Sequence, residues 1–317
     1  MSAGAAPEAD APVPADDARN GPALPEHGRA KGRRREDFRR LHRLRVRWAE
    51  VDLQGIVFNG HYLLYLDTAL AEHWRAMALP YVDALRRLGG DLFVRHAALD
   101  YRAPARFDDL LEVGIRCERI GTSSITFGGA LYRHERALVE GELVYVFADP
   151  ATQTSKPIPQ EFRELLNAFE AGKSMVDVRV GRWNELGEPA RKIRSQVFVD
   201  EQHIPAEMEW DGADEDCVHA LACNRFGLPL ATGRLLEHVP GVAKIGRMAV
   251  LAPMRGGHIG RAVLDALLQY ARERGDREAL LHAQLGAAPF YTRAGFIARG
   301  PVFEEAGIPH VEMVRAL

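Results

Sequence analysis

The run Lys244–Gly275, KIGRMAVLAPMRGGHIGRAVLDALLQYARERG, constrains this chain more than any other stretch. Ile245, Met248 and Val250 make an apolar run of strand length, and Pro253 stops it. Beyond a loop holding Gly256, Gly257 and Gly260, the residues Ile259, Val263, Leu264, Leu267, Leu268 and Ala271 recur at helical spacing. Gly275 stands where a helix C-cap belongs. Strand, glycine-rich loop and helix in that order leave backbone N–H groups unpaired at the positive end of a helix dipole. Such a place suits a phosphate or pyrophosphate. A tight strand–helix turn with no ligand accounts for the glycines equally well.

The surroundings narrow this. The stretch resembles the acetyl-CoA loop of the GNAT acetyltransferases, where a strand ending like Met248-Ala249-Val250 precedes an R-G-x-G-x-G loop. The segments RSQVFVDEQHIPAEMEWDGAD, HALA, ATGRL, IGRMAV, HAQ, FYTRAGF and EEAGIPHVEM extend the resemblance over residues 176–317, within the ElaA-like branch. The resemblance implies that the backbones of Met248 and Val250 hold the pantetheine arm. It implies that the amides of Arg255, Gly256, Gly257, His258, Ile259, Gly260 and Arg261 hold the pyrophosphate, with the Arg255 side chain at the rim. His258 departs from the pattern, which has glycine there. Tyr291, in Phe-Tyr-x-x-x-Gly-Phe, is implied as the general acid that protonates the leaving thiolate; a packing tyrosine is the alternative. Gln284 stands where related enzymes place an Asn that touches CoA.

In the first half, Leu44, Val46 and Trp48 alternate with arginines as a half-buried strand does. Gly55 breaks that pattern. From Tyr62, the residues Leu63, Leu66, Ala69, Leu70, Trp74 and Met77 mark a long helix that Pro80 ends. Strand-like runs follow at 92–102, 110–119, 123–133 and 136–148, then a helix over 160–170. One strand, a long helix and an antiparallel meander is an α+β layout. With Val51-Asp52-x-x-Gly55-Ile56-Val57-Phe58-Asn59-x-x-Tyr62 and Asp100-Tyr101-x-x-Pro104-Ala105-Arg106-Phe107-Asp108-Asp109, it resembles the hotdog acyl-CoA thioesterases of the 4-hydroxybenzoyl-CoA and YbgC/FadM type. That resemblance makes Asp52 the nucleophile or base, and the backbone N–H of Asn59 the group that polarises the thioester carbonyl. A carboxylate that merely braces its loop is the other reading of Asp52. Glu50 reads as a solvated or salt-bridged neighbour, and His61 as a polar contact at the helix start.

The 317 residues suggest two domains. The expected divisions are a disordered tail over 1–40, rich in Ala, Pro and acids and ending in a basic run, a hotdog domain over 41–172, and a GNAT α/β domain with a mixed, mostly antiparallel sheet over 173–317. Net charge is −3, which argues for neither nucleic acid nor membrane as a partner. No apolar run approaches the roughly 18 residues that span a bilayer. Three cysteines without metal-type spacing, and no secretory leader, suggest a cytoplasmic protein with no metal. In the second domain a helix is expected over 188–200. Glu207, Glu209, Asp211, Asp214 and Glu215 crowd one loop, which reads as a lure for a cationic substrate or as a solvated acidic loop. His219 and His282 receive no role.

Together these features imply a bifunctional enzyme: thioester hydrolysis in the first domain and acetyl or other acyl transfer from CoA to an amine-bearing small molecule or peptide in the second. A homodimer or tetramer through the hotdog domain is expected. The alternative is an N-acetyltransferase whose hotdog domain only binds acyl-CoA and dimerises.

Overall fold

Tyr62, Tyr65, Leu66, Ala69, Leu70, His73 and Trp74 are spaced by threes and fours, so a helix gathers them on one face. In the computed structural model, which describes residues 32–317, they form the buried face of α1 (His61–Ala76). The helix lies on an antiparallel sheet of β1 (Leu41–Arg45), β2 (Asp91–Tyr101), β3 (Leu110–Ile120), β4 (Ser124–Arg133) and β5 (Arg136–Ala148), in the order β1-β3-β4-β5-β2. Close approach requires glycine beneath it. A Cβ on Gly129 of β4 would come within 2.5 Å of Leu66 Cδ2. The four expected meander strands and the expected helix, α3 (Gln160–Glu170), are present, but the first strand, expected through Trp48, ends at Arg45, and Trp48 opens a short 3-10 turn and is exposed. A short helix after Pro80, α2 (Tyr81–Leu88), was not anticipated; it buries Ala84, Leu85 and Leu88 and ends at the left-handed Gly89.

The expected tail requires a correction. Its residues 1–31 lie outside the described residues, but Arg33, Arg35 and Phe38 pack on the sheet. Phe38 is buried edge-on against Tyr132, in a slot that exists because position 114 is glycine. Arg33 pairs with Glu118 at 2.8 Å, and Arg35 with Glu112 at 2.6 Å. Arginines ahead of and inside a short 3-10 turn, Arg35–Asp37, meet carboxylates on β3, so this part of the basic run belongs to the first domain.

The second half is a seven-stranded sheet ordered β11-β12-β10-β9-β8-β7-β6. Its strands are β6 (Val176–Arg182), β7 (Val218–Asn224), β8 (Pro229–Val239), β9 (Val242–Val250), β10 (Glu278–Gln284), β11 (Ile297–Glu305) and β12 (Ile308–Ala316). The β9–β10 pair is parallel and the other pairs are antiparallel. The helices are α4 (Trp183–Arg194), α5 (Ala206–Glu209), α6 (Ile259–Arg274) and α7 (Ala288–Arg293). The helix expected over 188–200 begins at Trp183, with Pro189 inside it, and continues as a π-helical stretch over Ser195–Glu201. Pro189 falls in the second turn of the helix, and the observed start lies five residues ahead of the expected one.

The two halves meet at the β7–β8 turn. The side-chain amide of Asn224 donates to the carbonyl of Ala78 at 3.0 Å, while its oxygen accepts from the N–H groups of Phe226 and Leu228. Ala78, just past α1, has φ +53. Arg87 of α2 donates to the Phe226 carbonyl and stacks over its ring.

Candidate functional site

The second-half site begins where two strands part. β9 and β10 keep parallel register from Val242–Glu278 to Ile245–Leu281 and then separate. On the other side of β9, Gly246 and Ala249 face Arg234 and Thr232, so three steps on β9 match two on β8. This is a β-bulge, and Arg247 inside it has φ +52. The bulge turns β9 away from β10 and, among the described residues, leaves its edge from Gly246 to Val250 without a strand partner on that side. A cavity of about 1010 Å³ enters this wedge. Met248, Val250, Arg255, Gly256, His258, Ile259, Gly260, Arg261, Gln284 and Tyr291 all line it. The structure therefore brings together every residue expected at the CoA site except Gly257, which is adjacent in the same loop.

At one end of the wedge the chain turns into α6. Among the described residues, no acceptor takes the N–H groups of residues 256–261. Six donors in sequence at a helix start make an anion cradle. Gly256 has φ +81, and His258 has φ +63 as the N-cap of α6. His258 thus occupies a left-handed position that glycine fills without strain, at a cost of about 1 kcal/mol. A Cβ on Gly260 would lie 3.0 Å from Val250 Cγ2, so strand and helix start are nearly in contact there.

The Arg255 side chain differs from expectation. Its guanidinium is held by both Glu201 oxygens at 2.6 and 2.7 Å, and its Nε donates to the Val250 carbonyl at 3.0 Å. It braces the loop instead of reaching freely to the rim. The hydrogen bonds of this pair hold the Glu201 carboxyl below the usual range. Gln284 donates to Gln202 at 2.9 Å, a second tie from the end of the π-helical stretch to the wedge. Tyr291 on α7 packs edge-on to Phe290 and Phe296, and burial pushes its phenol up to about 12. It remains a proton donor throughout the physiological range.

The acidic loop is corrected as a lure for cations. Arg194 donates to Glu209 and Asp214, Arg234 to Asp211 and Asp214, and Arg247 pairs with Glu209 and Asp211. Three arginines consume three carboxylates, with Arg194, Glu209 and Asp214 buried. Trp183 and Trp210 flank the Arg194 guanidinium. Burial raises Glu209, and the arginines do not fully offset it. The bonds from Arg234 hold Asp211 well below its usual range. Glu207 and Glu215 remain exposed. His219 is buried, with Nε2 on the Asp214 carbonyl, so it is part of this scaffold.

In the first half, bridges Val51–Val57 and Ile56–Arg106 pin the loop that carries Asp52. The Asp52 carboxylate accepts from the Gln54 N–H at 2.8 Å, and its carbonyl from the Gly55 N–H at 2.9 Å; Gly55 has φ +69. Asn59 is exposed at the start of α1, and its carbonyl accepts from Tyr62 N–H and Tyr101 Oη–H. Among the described residues, the Asn59 N–H has no acceptor. Asp52 and Asn59 thus flank one loop. Of the two readings of Glu50, the salt-bridged one holds and the solvated one does not. It is buried and accepts from Arg47 and from Tyr65 Oη at 2.7 Å, while its carbonyl takes the Phe58 N–H at 2.9 Å. Burial raises the Glu50 carboxyl, but these bonds outweigh it and hold it below the usual range. The Arg47-x-x-Glu50 spacing and Tyr65 on the buried helix face were the available signals. Around the loop, Trp48, Leu53, Phe58, Leu64 and Phe107 are exposed, and Trp48 meets Phe107 edge-on at 5.6 Å.

Residues 54–140 match the family model described as "Thioesterase superfamily", and residues 194–317 the one described as "Acetyltransferase (GNAT) domain". Asp52 lies just ahead of the first span and Asn59 inside it. The uncharacterized N-acetyltransferase YjcF of Bacillus subtilis (strain 168) is 33% identical over 124 residues, covering 39% of this chain and 87% of that protein. The solved structure of an acyl-CoA N-acyltransferase from Pseudomonas aeruginosa is 33% identical, with 44% of this chain and 99% of that one covered and a TM-score of 0.41. A thioesterase from Thermus thermophilus, solved with coenzyme A and Zn, is 25% identical, with 43% and 98% covered and a TM-score of 0.38. The chain belongs to the GNAT acetyltransferases through its second half, and its first half carries the match to the thioesterase superfamily model over residues 54–140.

Proposed function

We propose that this protein transfers an acyl group, acetyl in the simplest case, from CoA to an amine in its second half. The observation that carries this is the row of six unpaired N–H groups over 256–261 at the end of a wedge lined by Met248, Val250 and Tyr291. The pyrophosphate sits on those amides and the pantetheine arm runs along the open β9 edge. The thioester then reaches the region of Tyr291. The amine nitrogen attacks the carbonyl carbon, the C–N bond forms and the C–S bond breaks. A phenol raised to about 12 gives up its proton only as the sulfur gains negative charge. It regains a proton from the attacking nitrogen.

In the same reading the first half hydrolyses acyl-CoA thioesters, with Asp52 as nucleophile or base and the Asn59 N–H polarising the carbonyl. The exposed apolar residues around Asp52 support assembly as a homodimer or tetramer, since patches of this kind mark interaction surfaces. One observation favours a second reading. The Asp52 carboxylate already accepts an N–H from its own loop, as a bracing residue does. The hotdog half would then bind acyl-CoA and dimerise without hydrolysing it. The three free thiols are compatible with a cytoplasmic setting.

The test is release of CoA thiol from a series of acyl-CoAs, with and without amines. Amine-dependent release is expected for the second half and amine-independent release for the first. A protein silent in both arms would overturn the proposal.

A further inference from the structure

One titratable cluster in the cavity is used by nothing described so far. His282 is the first residue of β10 beyond the last parallel pair, Leu281–Ile245, so it stands where the wedge opens. Its Nδ1 lies 3.2 Å from Glu305 Oε2, at the end of β11. A carboxylate can only accept, so Nδ1 carries the hydrogen and the lone pair of the neutral ring is on Nε2. Among the described residues Nε2 makes no hydrogen bond; Glu312 Oε2 is 3.9 Å away. The ring rests edge-on against Phe303 at 4.9 Å. Glu312 is itself held by Arg299 at 2.6 Å, whereas Glu305 has no cationic side chain besides His282 among the described residues.

We propose that His282 is the base that deprotonates the acceptor, and that the acceptor is a primary alkylamine that enters as its ammonium ion beside Glu305. This rests on the transferase reading above. An alkylammonium has no lone pair to attack with. At pH 7 only about one in 2,500 such groups is free amine. His282 Nε2 takes one proton from the ammonium, and Glu305 stabilises the resulting imidazolium. The neutral amine attacks the thioester and loses a second proton, which balances the one delivered through Tyr291 to the CoA sulfur. His282 then returns its proton to water at the cavity mouth. The reaction thus yields amide, CoA thiol and one net proton. The charged and titratable groups that face the ring or line the same end of the cavity are Glu305 on β11, Glu312 and His310 on β12, and Lys244 on β9; Arg299 stands behind Glu312.

The experiment follows acetyl-CoA thiol release by the full-length protein with a panel of primary alkylamines, including a polyamine and lysine methyl ester, from pH 7 to 9.5. His282→Asn keeps an amide that can reach Glu305 but removes the base, and His282→Gln serves as a second variant. The expected result is a loss of about 10²-fold in kcat at pH 7, with acetyl-CoA affinity unchanged by calorimetry. The deficit should close to under about tenfold by pH 9.5, as water itself supplies free amine. A deficit that stays constant with pH, or no deficit, overturns the role of His282 and leaves the transferase standing. No amine-dependent release by the unaltered protein overturns the transferase, and this proposal with it.

Discussion

Glu201 and Arg255 are joined through two parallel hydrogen bonds, at 2.6 and 2.7 Å, that tie the end of the π-helical stretch to the loop preceding α6. The arrangement neutralises a carboxylate that otherwise stands beside an anion cradle. Arg255→Ala leaves that charge unpaired and frees the Val250 carbonyl. Acetyl-CoA affinity should fall about tenfold, or ~1.4 kcal/mol. Glu201→Gln removes the charge and should cost less than about twofold. Calorimetric titration of both variants checks the asymmetry; equal losses would mean that the pair acts only as a structural tie.

Gly260→Asp should abolish acetyl-CoA binding, with a loss beyond about 100-fold. The new Cβ meets Val250 Cγ2 at 3.0 Å, and the carboxylate enters the cradle. Like charges a few ångströms apart repel by about 4 kcal/mol at intermediate dielectric. Gly260→Ala, tested alongside, separates the steric part from the charge. Unchanged affinity in the Asp variant would place CoA elsewhere.

Asp52→Asn should reduce amine-independent thioester hydrolysis by about 10²-fold or more if Asp52 carries that chemistry. Amine-dependent acyl transfer should be untouched. An Asn side chain still accepts the Gln54 N–H, so the loop should stay in place. Hydrolysis at the unaltered rate would assign Asp52 to bracing and the first half to binding.

His73 gives a stability prediction. Burial, with Arg39 adding, depresses its imidazole to about 3 from an ordinary value of 6.5. Between those values the unfolded chain binds a proton that the folded chain refuses. This contribution is fully present above pH 6.5 and lost as pH falls toward 3, at up to ~1.4 kcal/mol per unit. Glu170, raised by its own burial, has the opposite sign over a range above 4.5. Urea midpoints between pH 7 and 5 should therefore fall in the natural protein and flatten in His73→Leu. A slope that survives the substitution belongs to another group.

Sedimentation at micromolar concentration should show a dimer or tetramer. Leu53→Glu with Phe58→Glu should shift it toward monomer, because both residues lie exposed beside the Asp52 loop. A monomeric natural protein would remove the assembly from the proposed function.

What could be read from the sequence was local, and what could not was distant. The 255–261 loop was legible because its glycines and the strand and helix around it lie within 32 residues. Arg255's partner lies 54 positions away, so its pairing with Glu201 was not legible from the loop. The same holds for the acidic loop, whose charges are met by Arg194, Arg234 and Arg247 from three separate elements. The alternation of Leu111, Val113 and Ile115 marked a strand correctly, yet Glu112 and Gly114 between them are buried too. The arm from Arg33 to Phe38 covers that second face, and nothing in the strand itself announces it.

The Asn224 side chain bears on how such a chain can be inherited. One face of it closes the β7–β8 turn and the other grips the backbone just past α1, where Ala78 holds a left-handed conformation. Either half alone would leave the Ala78 carbonyl and the Asn224 amide to water, so each is fitted to the other at this seam. Exchanging one half for another sequence would mean matching Asn224, Ala78, Arg87 and Phe226 together.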